Sequence, residues 1–514
     1  MVHGRFVLRL LLMVLLLWQT LPTHAADPVA IGSRLELMVD DYLIERLEGG
    51  ATRRLHHPIA RDVAMVTDPP WEGNACHYRT VFADDGEYRM YYSANHYPVG
   101  QLVNPRKSKG PVLALATSSD GIQWNRPELR LVLFEQSTAN NIVLDEKTAP
   151  VPPGYSISEM GVTVFKDKNP QASPDARYKA VAICRRTGQR HNAGLLVYKS
   201  PDGLRWSLMH DKPVITQGNF DSQNLAFFDE HRGEYRAYWR VSINGLRQIR
   251  TATSRDFISW SEPKLVTYSD GHPHAMYTNQ IQPYPRAPHL LMGFPMRYNH
   301  RLVTPSMTAL PRPEHREARR QQSRRYGEVV TDALFMVSRD GVHFTRYSEA
   351  FLRPAAAEDG WVYGDNSIAW GMAITPSHLD PKRPELSFYV TEGYWTDDAM
   401  KVRRYTLRLD GFVSIHTPFE GGEMVTRPLT FTGSRLALNF ATSGVGAIRV
   451  ELQTAAGEPI PGYTLDDCLE LYGDDVAQVV HWKSGNDVSS LAGQAIRIRF
   501  VMNDSDLYAL QFKP

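Results

Sequence analysis

The 514-residue sequence predicts an all-β protein, a five-bladed β-propeller followed by a C-terminal β-sandwich. Three observations predict it: a hairpin motif that recurs four times, a strand-turn-strand unit that recurs five times, and no apolar helical period longer than about three turns across that region. The hairpin reads ALATSSDGIQW to Trp124, LVYKSPDGLRW to Trp206, RTATSRDFISW to Trp260 and LFMVSRDGVHF to Phe344. In each, an alternating strand runs into Ser-x-Asp-Gly or a close variant. There the Asp accepts backbone N–H groups, the Gly supplies positive φ, and the aromatic residue opens the returning strand. Asp120, Asp202 and Asp340 are read accordingly as turn residues.

The larger unit begins at Tyr78 (YRTVFADDGEYRMYYSA), Met160, Asn224 (NLAFFDEHRGEYRAYWRV), Asn279 and Asn366. With its hairpin, each copy supplies four antiparallel strands, and sheets of this size bury themselves by packing radially on their neighbours. The fifth copy ends in VRRYTLRLDGFVSI. The early segment LELMVDDYLIE, Leu35 to Glu45, is expected to pair with the last blade and close the ring. Beyond Pro418, short alternating runs such as RLALNFA and AIRIRFVM between Gly, Ser and Asp turns predict the sandwich. The organisation read from the sequence is a signal peptide over 1–26, a propeller over 27–415 and a sandwich over 416–514.

The signal peptide follows from Arg5 and Arg9 ahead of LRLLLMVLLLW, then Pro22 and the small-residue segment Thr23 to Ala26. That apolar core is too short for a comfortable membrane span, so the mature chain is expected to be secreted or periplasmic with no transmembrane segment. Basic and acidic residues balance at 57 and 56, which gives no overall field for nucleic acid. Cys76, Cys184 and Cys468 are odd in number and far apart, so no disulfide framework is expected, and no Cys/His spacing resembles a zinc site. The arginine-dense stretch RPEHREARRQQSRR, from Arg312, reads as a solvated loop or short surface helix.

The segments MVDDYLIE, PPWEG, SSDGIQWNRPEL, FDSQN and RLDGFVSI, carried on this architecture, resemble the five-bladed propeller glycosidases. These are glycoside hydrolase families 32 and 43 and their relatives, in particular secreted bacterial proteins similar to the family 32 N-terminal domain. The resemblance implies a hydrolase acting on an oligo- or polysaccharide, needing no cofactor. No motif signals a structural calcium. The chain lacks the Trp-x-Asp-Pro-Asn and Arg-Asp-Pro segments and the Glu-Cys acid/base of family 32 invertases, so position in the fold is the guide to the site.

Propellers gather functional groups where the innermost strands enter the central channel, and glycoside hydrolysis needs two carboxyl groups there. Aligning the units places Asp221, Glu159 and Asp365 at comparable entrances, with Glu72 from the first blade. Asp221 and Glu159 are the principal pair expected, with Glu72 and Asp365 next. Sugar contacts are expected from Trp71, His77, Arg79, Gln223, Asn224, Asn279, Gln280 and Asn366. Tyr277, Trp361, Tyr363, Trp370 and Trp395 are further aromatic platforms. If two of Arg79, Arg240 and Arg297 converge, the ligand carries a carboxylate or sulfate; otherwise they pair with the acids. Two other readings stand beside the hydrolase: a non-catalytic carbohydrate-binding propeller, and a scaffold that uses the 312–325 segment.

Overall fold

The computed structural model describes residues 27–99, 110–354, 360–396 and 399–514; the expected signal peptide lies outside them. Five sheets form the blades of a propeller. Blade I runs His77–Asp84, Glu87–Ala94, Val112–Ser118 and Ile142–Leu144, and blade II runs Tyr155–Lys166, Tyr178–Arg186, Asn192–Ser200 and Ser207–Leu208. Blade III is Leu225–Asp229, Glu234–Ile243, Leu246–Ser254 and Lys264–Leu265. Blade IV is Gln282–Tyr284, Ala287–Gly293, Val329–Ser338 and His343–Leu352, with Met296–His300 also paired to Val329–Ser338 and Thr267–Tyr268 lying parallel to His343–Leu352. Blade V is Ala373–Pro376, Pro384–Glu392 and Lys401–Arg408, completed by Ile59–Val66 from near the N-terminus.

That last pairing corrects the expected ring closure. Leu35 to Glu45 does not reach the last blade: Glu36–Leu37 pairs with the terminal strand Ile496–Lys513, and Ile44–Gly49 pairs with Gly422–Thr426. The reason lies in side-chain pattern. Leu37, Met38 and Val39 are all buried, which suits the packed junction between propeller and terminal sheet, whereas Ile59, Val63 and Val66 remain exposed, as an outermost strand allows. Met65 faces inward, buried among blades I and V. The terminal sheet has ten strands and draws Val29–Gly32, Glu36–Leu37, Ile44–Gly49 and Thr52–Leu55 from the front of the chain.

The Ser-x-Asp turns form as the sequence predicts. In the first, Asp120 Oδ1 accepts from Ile122 N at 2.7 Å and Gln123 N at 2.9 Å, while Ser118 Oγ accepts from Gly121 N at 2.8 Å. Asp202, Asp256 and Asp340 repeat the pattern. Blade I departs in one respect: its hairpin returns through a single bridge, Thr117 to Asn125, and its fourth strand comes later.

Propeller and terminal sheet are packed as one body. Phe412 stacks on Phe335 of blade IV at 5.1 Å. Beside it the fully buried Asp410 accepts from Tyr284 Oη at 2.6 Å, Arg286 Nε at 2.9 Å and Asn439 Nδ2 at 3.0 Å, joining a blade to the sandwich. The longest α-helix among the described residues, Pro313–Gln322, is an insertion in blade IV. No helix among the described residues is long and apolar enough to cross a membrane.

Candidate active site

Every inner strand enters the channel through a non-glycine residue in the left-handed region: Tyr78 (φ 53), Glu159 (φ 52), Phe220 (φ 60), Gln280 (φ 47) and Asn366 (φ 64). Such backbone costs about 1–3 kcal/mol per residue and persists only where its surroundings over-determine it. Buried amides supply that constraint. Asn224 Nδ2 donates to the carbonyls of Phe220 at 2.9 Å and Ser222 at 2.8 Å. Asn366 Nδ2 donates to Thr331 O at 3.0 Å and Gly360 O at 2.9 Å. Gln280 Nε2 bridges Gln223 Oε1 at 2.9 Å and Ile368 O at 3.0 Å, and Gln223 Nε2 reaches Arg79 O at 3.2 Å. Asn279 Oδ1 accepts from Ile281 N at 3.3 Å.

These bonds correct five of the expected sugar contacts. Gln223, Asn224, Asn279, Gln280 and Asn366 are at most 3% exposed, and none lines the funnel cavity. A planar amide offers both donors and an acceptor, which suits it to fastening bent backbones of adjacent blades together. They fasten the entrances and stay out of the cavity.

At these entrances opens a cavity of about 360 Å³. It brings together Glu159, Asp221 and His77, from blades II, III and I, with Tyr78, Tyr277 and Tyr394 among its walls. Asp221, 56% exposed, is ion-paired with Arg240, whose guanidinium is 4.9 Å above the Tyr277 ring. Glu159 is exposed and has no ion-pair partner among the described residues; its backbone carbonyl is held by Ser93 Oγ at 3.0 Å. Around it, burial pushes the Tyr78, Tyr97 and Tyr394 phenols up, and the Glu159 charge adds to the effect. Neutral phenols are hydrogen-bond donors. His77 has its Nδ1 2.7 Å from Ala75 O, and burial pushes the imidazole down to about 4. A carbonyl only accepts, so the proton sits on Nδ1 and Nε2 is left as an acceptor.

The remaining expected residues lie elsewhere. Glu72 is 1% exposed and takes no part in the cavity: Arg126 donates to it at 2.7 and 2.9 Å and Tyr92 Oη at 2.6 Å. Burial pushes its carboxyl up, against the pull of those donors. Asp365 is fully buried behind the wall and accepts from Val362 N at 3.0 Å and Tyr394 N at 2.8 Å. It fixes the turns that present Tyr363 and Tyr394. Trp71 donates to Asn141 Oδ1 at 2.7 Å beside Phe134, in a separate surface hollow. Arg79 is buried, joining blade I to blade V through Thr391 Oγ1 at 2.7 Å.

The arginine-dense stretch is neither a loop nor solvated throughout. Residues Pro313–Gln322 form a helix whose Arg316 and Arg319, three apart and so on one side, are buried against blade V. Arg319 donates to the carbonyls of Trp395 at 3.0 Å and Tyr363 at 3.3 Å and also to that of Tyr394. Burial pushes the guanidinium down to about 10, with the Asp365 charge opposing, so it stays charged at neutral pH. The anchored insertion places Gln322, Arg325 and Tyr326 in the cavity wall. Sequence reasoning missed Tyr78, Tyr97, Tyr326 and Tyr394 as wall residues. The one local signal is Pro313, which suits the first position of a helix and so marks the start of the insertion that carries Tyr326 to the wall.

Among the described residues no group of three or more His, Cys, Asp or Glu could hold a metal ion. The cavity thus holds two carboxylates from adjacent blades among aromatic walls, one held by a cation and one not.

No family model matches the chain, and no curated protein matches it. Among solved structures it is similar, at 12% identity and a TM-score of 0.42, to an N-acetylgalactosamine deacetylase from F. plautii in complex with blood group B trisaccharide. The match covers 70% of this chain and 95% of that one. A glycosyl hydrolase from Bacteroides ovatus is similar at 15% identity and a TM-score of 0.38, covering 72% and 96%. A GH32 β-fructofuranosidase of Bombyx mori is similar at 10% identity and a TM-score of 0.39, covering 89% and 94%.

Proposed function

We propose that the protein is an exported glycoside hydrolase that cuts an oligo- or polysaccharide in the funnel cavity through Asp221 and Glu159. The observation that carries this reading is the meeting of those two carboxylates, from blades III and II, in one open aromatic-walled cavity. Their surroundings divide the roles. The Arg240 ion pair favours the ionised form of Asp221, which suits it to act as nucleophile or as base for water. Glu159 is exposed on the adjacent blade of the same cavity with no ion pair among the described residues, the place from which the second carboxyl group of such a pair serves the leaving oxygen. The reaction then needs no cofactor: the proton leaves Glu159 as the glycosidic C–O bond breaks, and water supplies its replacement.

A second reading has its own observation. Asp221 locked on Arg240 is what a saccharide-binding propeller without hydrolytic activity would also show. The two separate in one experiment. Wild type, Asp221→Asn and Glu159→Gln are incubated with a panel of furanosides, pyranosides and acidic oligosaccharides, and released sugar is measured beside binding. Release by wild type that both variants lose supports hydrolysis. Binding without release supports the lectin-like reading. Export is tested by the mature N-terminus, expected just after Ala25 or Ala26.

A further inference from the structure

The arginines that the sequence singles out for an anionic ligand are all committed. Arg79 is held by Thr391 and the Cys76 carbonyl, Arg240 by Asp221, and Arg297 by Asp332 at 2.6 Å. Two others are not. Arg247, half-buried on the third strand of blade III, lies 4.3 Å from the Tyr298 ring centroid and 5.9 Å from that of Tyr277, a cavity wall. Arg325, in the blade IV insertion, lines the cavity 4.8 Å above the Tyr326 ring and donates to its hydroxyl at 3.0 Å. Among the described residues neither has a carboxylate partner.

The two guanidiniums belong to one cluster. Tyr298 and Tyr363 rings are 6.0 Å apart, and those of Tyr363 and Tyr326 are 5.2 Å apart, a run of rings joining Arg247 to Arg325. Burial pushes the Tyr298 phenol up, and Arg247 and Arg325 both pull it back, so both charges reach the same hydroxyl. That hydroxyl is buried and has no hydrogen-bond partner. An arginine stacked through its flat face keeps its in-plane N–H groups for a planar or tetrahedral oxyanion. Charge points the same way. Arg240 offsets Asp221, and Arg247 and Arg325 outnumber the one remaining carboxyl group among the described cavity residues, that of Glu159, an excess of positive charge that a cleft focuses on an incoming anion.

We infer that Arg325, on the cavity wall, and Arg247, against the wall residue Tyr277, form a subsite for a carboxylate or sulfate on a sugar unit, so that the ligand is an acidic saccharide. This deepens the proposed function and rests on it only for the cavity being a saccharide site. The two arginines supply the charge, and the buried Tyr298 ring between them positions Arg247.

The test is a titration of the wild-type protein, followed by calorimetry, with three oligosaccharides of equal length: neutral, uronate-containing and sulfated. One of the acidic pair binds about tenfold or more tighter than the neutral one, since a charge-assisted bond contributes roughly 1.5–3 kcal/mol. Which acidic ligand wins distinguishes carboxylate from sulfate. Raising the salt concentration narrows the margin. Arg247→Gln and Arg325→Gln each cut the preference by severalfold, while Arg247→Lys, which keeps the charge, retains part of it and controls for folding. Equal affinity for neutral and acidic ligands, no binding of either acidic ligand, or a preference that survives both glutamine substitutions, overturns the subsite. Acidic-ligand binding without bond cleavage sinks the hydrolase reading and leaves the subsite standing. Cleavage of neutral glycans alone does the reverse.

Discussion

Replacing Arg319 with methionine keeps most of the side-chain volume but removes the guanidinium that serves the carbonyls of Tyr363, Tyr394 and Trp395. The residue is 1% exposed, so water does not readily substitute. Three buried carbonyl oxygens left without this donor, at about 1 kcal/mol each, give a local loss of about 3 kcal/mol. It falls on the contact between the helix Pro313–Gln322 and blade V, not on the sheets. The assay is native-state hydrogen exchange. Amides of Pro313–Gln322 are expected to exchange about two orders of magnitude faster, because 1.4 kcal/mol is a factor of ten. Amides of the terminal strand Ile496–Lys513 keep their protection, which separates local release from global unfolding. Saccharide affinity falls with the helix, since Gln322, Arg325 and Tyr326 lose their position in the wall. Unchanged exchange in the helix, with the terminal strand equally unchanged, refutes the claim that Arg319 holds the wall.

Three further outcomes follow from the same geometry. Glu72→Gln breaks the buried pair with Arg126 and is expected to cost about 3 kcal/mol in denaturant titrations while leaving turnover at the wild-type level; a collapse of turnover at wild-type stability returns Glu72 to the catalytic machinery. His77 and His56 are both pushed by burial down to about 4 from 6.5, so the folded state favours their neutral forms. Stability is therefore full above pH 6.5 and falls as the pH drops from 6.5 towards 4, and an NMR titration of His77 centred near 6.5 contradicts the burial. Met65→Ala empties a site between the closing strand and blade I, and is expected to cost about 2–4 kcal/mol in a denaturant titration; no loss means that Ile59–Val66 does not hold the ring shut.

The blades were legible because their signals are local. A strand that alternates, an Asp that accepts two N–H groups and an aromatic that starts the return all lie within eleven residues, as in ALATSSDGIQW. Ring closure was not legible, because the alternating run Ile59–Val66 and the apolar run around Leu37 both read as strands, and only their partners, hundreds of residues away, decide which goes where. The candidate site divides the same way. Position along the repeat singled out Glu159 and Asp221, which share the cavity. The same alignment also marked the amides at those entrances, but not their burial: Glu159 is exposed and lines the cavity, while Gln280 and Asn366, at equivalent bends, and Asn224, past the bend at Phe220, turn inward to hold neighbouring groups. Nothing in composition showed that Arg316 and Arg319 would be buried, since charge density alone marks a solvated face.

In the proposed reaction Glu159 gives the proton and Asp221 acts ionised, and the dependence of rate on the leaving group separates the two roles. Rates are measured for wild type, Glu159→Gln and Asp221→Asn on a glycoside of the sugar released in the panel, once with a natural sugar leaving group and once with a dinitrophenyl group that needs no protonation. Glu159→Gln is expected to lose about 10²–10⁴-fold on the natural substrate yet to stay within about tenfold of wild type on the activated one. Asp221→Asn loses both activities. Two variants that cleave both substrates at the wild-type rate contradict that division of roles.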